Sequence, residues 1–177
     1  MKTPFVWIGI DQHKKAFVVF TILTLLCMVG LGVSGDALKV NEAPMGILDY
    51  EFAGTLENAQ AMLLAWKTEG VEAFVGFNLG LDYLFMLTYS HAIGLACVLV
   101  AQRLNRFVQL AFVLAALQLV AGGLDAIENF ALWKLLLGSD WAVYPLISMC
   151  CAAPKFLFVI LGLLFCLGSV FFKKKTV

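Results

Sequence analysis

The residues of this sequence most able to do chemistry are four ionisable side chains inside long apolar runs. Asp82 lies in the second run, Asp125 and Glu128 lie in the third, and Lys155 lies in the fourth. Such groups are costly in hydrocarbon, so they normally face the interior of a helix bundle, a partner or a water-filled cavity. In that setting a carboxyl group can hold a cation or an amine, take up a proton, or act as a general acid or base.

These four groups are predicted to lie at a common depth. A helix rises about 1.5 Å per residue and alternate spans run in opposite directions, so the depth of each group below the outer end of its span follows from its position in the sequence. Asp82 falls about 14 Å from the near end of its span, Asp125 and Glu128 about 14–18 Å, and Lys155 about 20 Å. We therefore expect one site, in which Lys155 pairs with one or two carboxylates and a remaining carboxyl is protonated or holds a cation.

Neutral polar residues share helix faces with these groups, because positions i, i+4 and i+7 lie on the same side of a helix. The resulting set is predicted to line a pocket between the second, third and fourth spans. Its members are Asn78, Asp82, Tyr89, Gln118, Asp125, Glu128, Asn129 and Lys155. The alternative is a structural network of ion pairs and amide hydrogen bonds that fixes the helix register without any ligand.

Four apolar segments must position these residues. The chain has 177 residues, 62% of them hydrophobic, and its mean hydropathy of +0.94 exceeds what a soluble domain of this size can bury. A spanning helix needs roughly 20 apolar residues, and runs of about that length cover residues 16–34, 71–102, 107–137 and 141–172. The sequence therefore predicts an all-α membrane protein, a four-transmembrane-helix bundle that forms one polytopic domain over residues 1–177. The first run is longer than the core of a signal peptide, so we expect it to be retained.

Basic residues near the ends of the predicted spans indicate the orientation. They all fall on one side of the membrane and are Lys2, Lys14, Lys15, Arg103, Arg106, Lys173, Lys174 and Lys175. Since such residues tend to stay in the cytoplasm, both termini are predicted to be cytoplasmic and the acidic connection 35–70 to lie outside. A bacterial inner membrane is favoured. The ending Lys174-Lys175-Thr176-Val177 resembles a dilysine retrieval signal, which in a eukaryote would indicate the endoplasmic reticulum.

The long connection 35–70 is predicted to contain an amphipathic surface helix. Thr55 can cap a helix over residues 56–69, whose apolar face would comprise Leu56, Ala59, Leu63 and Trp66. Before it, residues 47–52 alternate apolar and acidic side chains, which indicates a short extended piece or a solvated turn. The acids of this connection, including Glu51, are interpreted as a solvated outer face in preference to part of a site.

Other residue types indicate what the protein does not do. The five cysteines lie in apolar runs without a Cys-x-x-Cys pair, so they are predicted to be small buried residues and not ligands of zinc or haem. They are Cys27, Cys97, Cys150, Cys151 and Cys166. His91 is expected to make a helix contact with Thr88 or another span, and His13 to be interfacial. No metal site and no nucleic-acid partner is predicted, and the sequence identifies no cofactor.

The four-span size and acidic interior are similar to those of the emopamil-binding and sigma-2-type sterol-handling proteins, whose cavities use buried acids to hold amines. The similarity is one of architecture without a shared motif, so it implies no role for any residue here.

Three functions remain open from the sequence, all with the lipid bilayer as the surrounding medium. The first is a membrane-embedded binding or transport protein for a cation, a proton or a lipid-like, amine-bearing small ligand. The second is an accessory or scaffold subunit that uses the polar band to assemble with another membrane protein or with itself. The third is an intramembrane enzyme in which a buried carboxyl acts on a lipid-like substrate.

Overall fold

The protein is almost entirely helical. The computed structural model describes residues 3–172, so the predictions that concern Lys2, Lys173, Lys174 and Lys175 fall outside the described residues. Its helices are α1 (His13–Asp36), α2 (Ile47–Glu51), α3 (Leu56–Thr68), α4 (Glu72–Leu104), α5 (Val108–Leu136) and α6 (Val143–Gly168), with short 3-10 turns at Ile10–Gln12 and Ser169–Phe171. No strand occurs between residues 3 and 172. The helices α1, α4, α5 and α6 are long and apolar enough to cross a membrane, which confirms the four-span, all-helical architecture.

Three of the long helices form the centre of the bundle. Helix α5 packs along both α4 and α6, which also contact each other, whereas α1 packs along α4 alone. Small residues permit these close approaches: a Cβ atom on Gly30 of α1 would lie 2.7 Å from Leu81, and one on Gly122 of α5 would lie 3.1 Å from the Ser90 hydroxyl. Most apolar side chains of α1 point away from the protein, as lipid requires.

The chain between α1 and α4 covers one end of the bundle. Tyr50 and Trp66 are fully buried there and meet edge to face at 5.3 Å. The Trp66 indole donates to the Leu38 carbonyl at 2.8 Å, and the Tyr50 hydroxyl donates to the Leu132 carbonyl of α5 at 3.2 Å. These two bonds and the buried aromatic area hold the connection against the ends of α4 and α5.

The expectation for residues 47–52 is wrong. This segment forms the one-and-a-half-turn helix α2, and both Tyr50 and Glu51 are buried. Glycines with positive φ stand on either side of it, Gly46 at 66° and Gly54 at 68°, and allow the chain to turn sharply into and out of the helix. The physical reason is packing between distant parts of the chain. Burial of Tyr50 against Trp66 outweighs the alternating pattern, which on its own favours an extended chain.

Aromatic residues close the opposite end of the bundle. Phe5 is fully buried, and His91 of α4 stacks on Phe20 of α1 with ring centroids 4.7 Å apart. The His91 Nδ1 lies 2.7 Å from the Leu87 carbonyl, and its ring also lies near Phe5 and Trp7. The contact of His91 with another span that was expected is therefore made with α1.

His13 is fully buried, because the residues before α1 fold back over it and the Gln102 side chain lies 3.1 Å from its Nδ1. Among the cysteines, Cys27, Cys97 and Cys151 are buried and Cys166 is half-buried, whereas Cys150 is exposed, contrary to expectation.

Candidate ligand-binding site

A cluster of charged side chains surrounds Lys155 where α2, α5 and α6 meet. The Lys155 ammonium donates to Asp125 Oδ1 and to Glu128 Oε1, each at 2.8 Å, and lies 3.5 Å from Glu51 Oε2. The pairing that the common depth predicted for Lys155 is therefore confirmed. Because Asp125 and Glu128 are three residues apart on α5, they share a face and approach the same ammonium.

Glu51 is the member of this cluster that the sequence did not identify. Its backbone carbonyl accepts a hydrogen bond from the Ser148 hydroxyl of α6 at 2.9 Å, which fixes α2 beside Lys155. Burial raises the pKa of Glu51 above its ordinary value, and the Lys155 ammonium opposes that rise only in part. Helical spacing is the signal that could have identified Glu51. Ile47, Tyr50 and Glu51 share one face on a helix but not on an extended chain, so a helical interpretation of this segment places Glu51 on the same side as two apolar residues.

Two more polar contacts extend the cluster towards α4. The Tyr89 hydroxyl donates to Asp125 Oδ2 at 2.9 Å, and the Asn129 amide donates to Asp82 Oδ2 at 2.5 Å. Within residues 3–172, Asp82 has no other hydrogen-bond partner and no cation within 4.0 Å. The Lys155 ammonium is thus shared by three carboxyl groups, those of Glu51, Asp125 and Glu128, and Asp82 is a fourth carboxyl group without a cation of its own.

A cavity of about 590 Å³ opens beside this cluster. Its walls are formed by α1, α4 and α6, one end is covered by α2, and α5 contributes only Asp125 and Asn129. Most of the lining is apolar, and the polar groups are concentrated near the α2 end. The charged and amide side chains that face it are Glu51, Asn78, Asp82, Asp125, Asn129 and Lys155.

Six of the eight residues predicted to bind a ligand line this cavity. Glu128 does not, because it is fully buried behind Lys155, and Gln118 does not, because its amide donates to the Phe158 carbonyl of α6 at 2.7 Å. Asn78 lines the cavity but is committed to α1, donating to the Ser34 hydroxyl at 2.8 Å. Ligand binding by this set stays a prediction.

The position of the cavity also differs from the expected one. It was predicted between the second, third and fourth spans, but its walls come from α1, α4 and α6, and α5 contributes only Asp125 and Asn129. Since α1 packs on α4 and not on α6, the space opens on that side instead. Thr21 and Thr24 of α1 line it, and the buried Thr21 hydroxyl has no hydrogen-bond partner among the described residues.

The chemistry of this site is that of an acidic group at the end of an apolar space. Such a site can hold a cation or a proton donor near Asp82 and enclose an apolar body beyond it. No group of three or more His, Cys, Asp or Glu side chains in the described part of the chain has the geometry to hold a metal ion. The chain matches no known protein family, and no curated protein or solved structure matches it either.

Proposed function

We propose that this protein is a membrane-embedded binding or transport protein whose cavity takes an amphipathic ligand with a cationic amine head. The observation that carries the proposal is Asp82, a carboxyl group facing an apolar cavity with one amide donor and no cation of its own. A carboxylate in such surroundings is unfavourable unless it gains a proton or a counter-ion. An ammonium head would supply that counter-ion.

The charge balance of the cluster supports a cationic ligand over an anionic one. Lys155 is already surrounded by Asp125, Glu128 and Glu51, so its ammonium is compensated. An anion placed in the cavity would meet the three carboxyl groups that line it, those of Glu51, Asp82 and Asp125, and only this one cation. A cation would meet Asp82 directly, and the Glu51 carboxyl also belongs to the cavity lining.

The orientation in the membrane belongs to the same proposal. We place both termini in the cytoplasm, the cavity's polar end towards the outer side, and α3 as an amphipathic helix on the outer surface. In α3, Ala59 and Trp66 are buried while Glu57 and Lys67 are exposed, which supports this placement.

Binding of dodecylamine to the purified protein in nanodiscs tests the proposal, with stabilisation against heat as the readout. Wild type should bind the amine, and Asp82→Asn should weaken binding by about tenfold or more, because a neutral amide cannot compensate an ammonium. Asp36→Asn is the matched control, since Asp36 is exposed and pairs with Lys39 away from the cavity. If wild type fails to bind, or if Asp82→Asn binds equally well, the proposal is wrong.

A second candidate function has one observation in its favour. The contacts of Lys155 with Asp125, Glu128 and Glu51 join α6 to α5 and α2, as a structural network would. On that hypothesis the chain is an accessory or scaffold subunit. Asp82→Asn would then change thermal stability or the recovery of a partner protein, with no amine binding to lose.

A further inference from the structure

We propose that the ligand is a single-chain lipid amine, with its ammonium at Asp82 and its chain lying along α4 towards Cys166, in contact with the bilayer through the gap between α1 and α6. This inference rests on the proposed function and narrows the class of ligand. A short, water-soluble amine and a rigid ring system are the two alternatives that it excludes.

Both ends of the cavity that face the membrane surfaces are covered by protein. At the polar end, Ile47, Leu48 and Glu51 of α2 form the cover, held by the Glu51–Ser148 hydrogen bond. At the far end the cavity stops at Phe17 and Cys166, next to the stacked pair of Phe20 and His91. An occupant from water would have to displace one of these covers.

The side of the cavity between α1 and α6 is different, because these two helices do not pack on each other. Some side chains of both helices line the cavity and are at the same time exposed on the outer surface of the protein. Leu25 of α1 is 56% exposed and Leu163 of α6 is 44% exposed, and both line the cavity. In a membrane those surroundings are lipid chains. The gap therefore connects the cavity to hydrocarbon, and a lipid is the molecule that already occupies that space.

The apolar part of the cavity has the length of one lipid chain. On α4 it extends from Asp82 to Ala96, or about 21 Å at 1.5 Å per residue, and on α6 from Lys155 to Cys166, or about 16 Å. One leaflet contributes about half of a hydrocarbon core of ~30 Å. Beyond Tyr89 the α4 and α6 lining is Ala92, Ile93, Ala96, Val159, Leu163 and Cys166, which offers a chain no charged group.

A series of straight-chain amines from octyl to octadecyl tests this pose, with affinities measured in nanodiscs and expressed per mole fraction of amine in the bilayer. That scale removes the general preference of long chains for membranes. We expect wild type to bind hexadecylamine about tenfold more tightly than octylamine, because the short chain leaves the far end of the cavity without contacts. Ala96→Trp should remove this preference by filling the far end, and should leave octylamine binding unchanged.

Ala116→Trp is the matched control, since Ala116 is exposed on the lipid-facing side of α5 and should alter neither affinity. Equal affinity of wild type for octylamine and hexadecylamine would overturn the chain assignment while leaving the proposed function intact. A steroidal amine that binds as tightly as hexadecylamine would also overturn it. If no amine of any length binds, the proposed function itself fails.

Discussion

Replacement of Lys155 by methionine is expected to destabilise the protein strongly. Methionine keeps the length and the apolar stem of the side chain, so the change removes mainly the charge. Asp125 and Glu128, each 2.8 Å from the lost ammonium and each buried, are left without their cation. Removing one partner of a buried ion pair costs about 3–5 kcal/mol. At about 2–4 °C per kcal/mol for a chain of this size, Tm should fall by roughly 6–20 °C.

A second substitution separates lost pairing from lost packing. Glu128 is fully buried and makes no hydrogen bond, within the described residues, other than the one from Lys155. The double variant Lys155→Met with Glu128→Gln should therefore recover a large part of the loss, because it replaces a buried carboxylate by a neutral amide. Lys67→Met is the control, since Lys67 is exposed on α3 and should leave Tm nearly unchanged.

Labelling of the natural cysteines during heating measures the Tm of these variants. Cys97 and Cys151 are free and buried, so a thiol-reactive fluorescent dye labels them only as the bundle unfolds during heating in detergent. Two results would refute the reasoning. One is a Tm for Lys155→Met within the range of the Lys67→Met control. The other is a double variant no more stable than Lys155→Met alone, which would mean that the loss in Lys155→Met does not come from leaving the Glu128 carboxylate without its cation.

Two further predictions use the same melting measurement. Gly162→Ala should cost about 1–3 kcal/mol, because its Cβ would lie 2.5 Å from the Gln118 amide nitrogen. Gly123→Ala should be neutral, because its Cβ would have no atom within 4 Å apart from its chain neighbours and the backbone of its own helix. Equal effects of the two substitutions would contradict the packing described. Burial raises the pKa of Glu51 in the folded protein above the value of 4.5 that it has in the unfolded chain. Wild type therefore loses stability as the pH rises from 4.5 through the higher pKa of the folded state. Glu51→Gln lacks this loss, so its Tm relative to wild type should become more favourable with rising pH, and a constant or falling difference would contradict the pKa shift.

The four spans and the partners of Lys155 were accessible to sequence reasoning because each depends on one dominant cost. A long apolar run has no stable alternative to a helix in lipid, and its length fixes its ends to within a few residues. A lysine deep in such a run needs a counter-charge, and helix rise places Asp125 and Glu128 at its depth. Neither inference needs knowledge of how the helices are arranged around one another.

The role of Glu51 and the position of the cavity could not be predicted, because both depend on that arrangement. Glu51 belongs to a connection rich in exposed acids, and only the packing of Tyr50 on Trp66 brings it under Lys155. The cavity exists because α1 packs on α4 and not on α6. No residue of α1 indicates in the sequence which of the other helices it will pack against. Helical periodicity gives the polar face of each span but not the neighbour which that face meets.

The attachment of α1 to α4 alone has a consequence for how this chain can diverge over evolutionary time. The helix is held to α4 by Asn78, which donates to the Ser34 hydroxyl, and by the stack of Phe20 on His91. The two α1 residues in these contacts, Ser34 and Phe20, are not among the residues that line the cavity. Side chains on the cavity side, such as Thr21, Thr24 and Met28, contribute little to the packed centre of the bundle. Selection can therefore alter them, and with them the shape of whatever the cavity holds, while α4, α5 and α6 keep the fold.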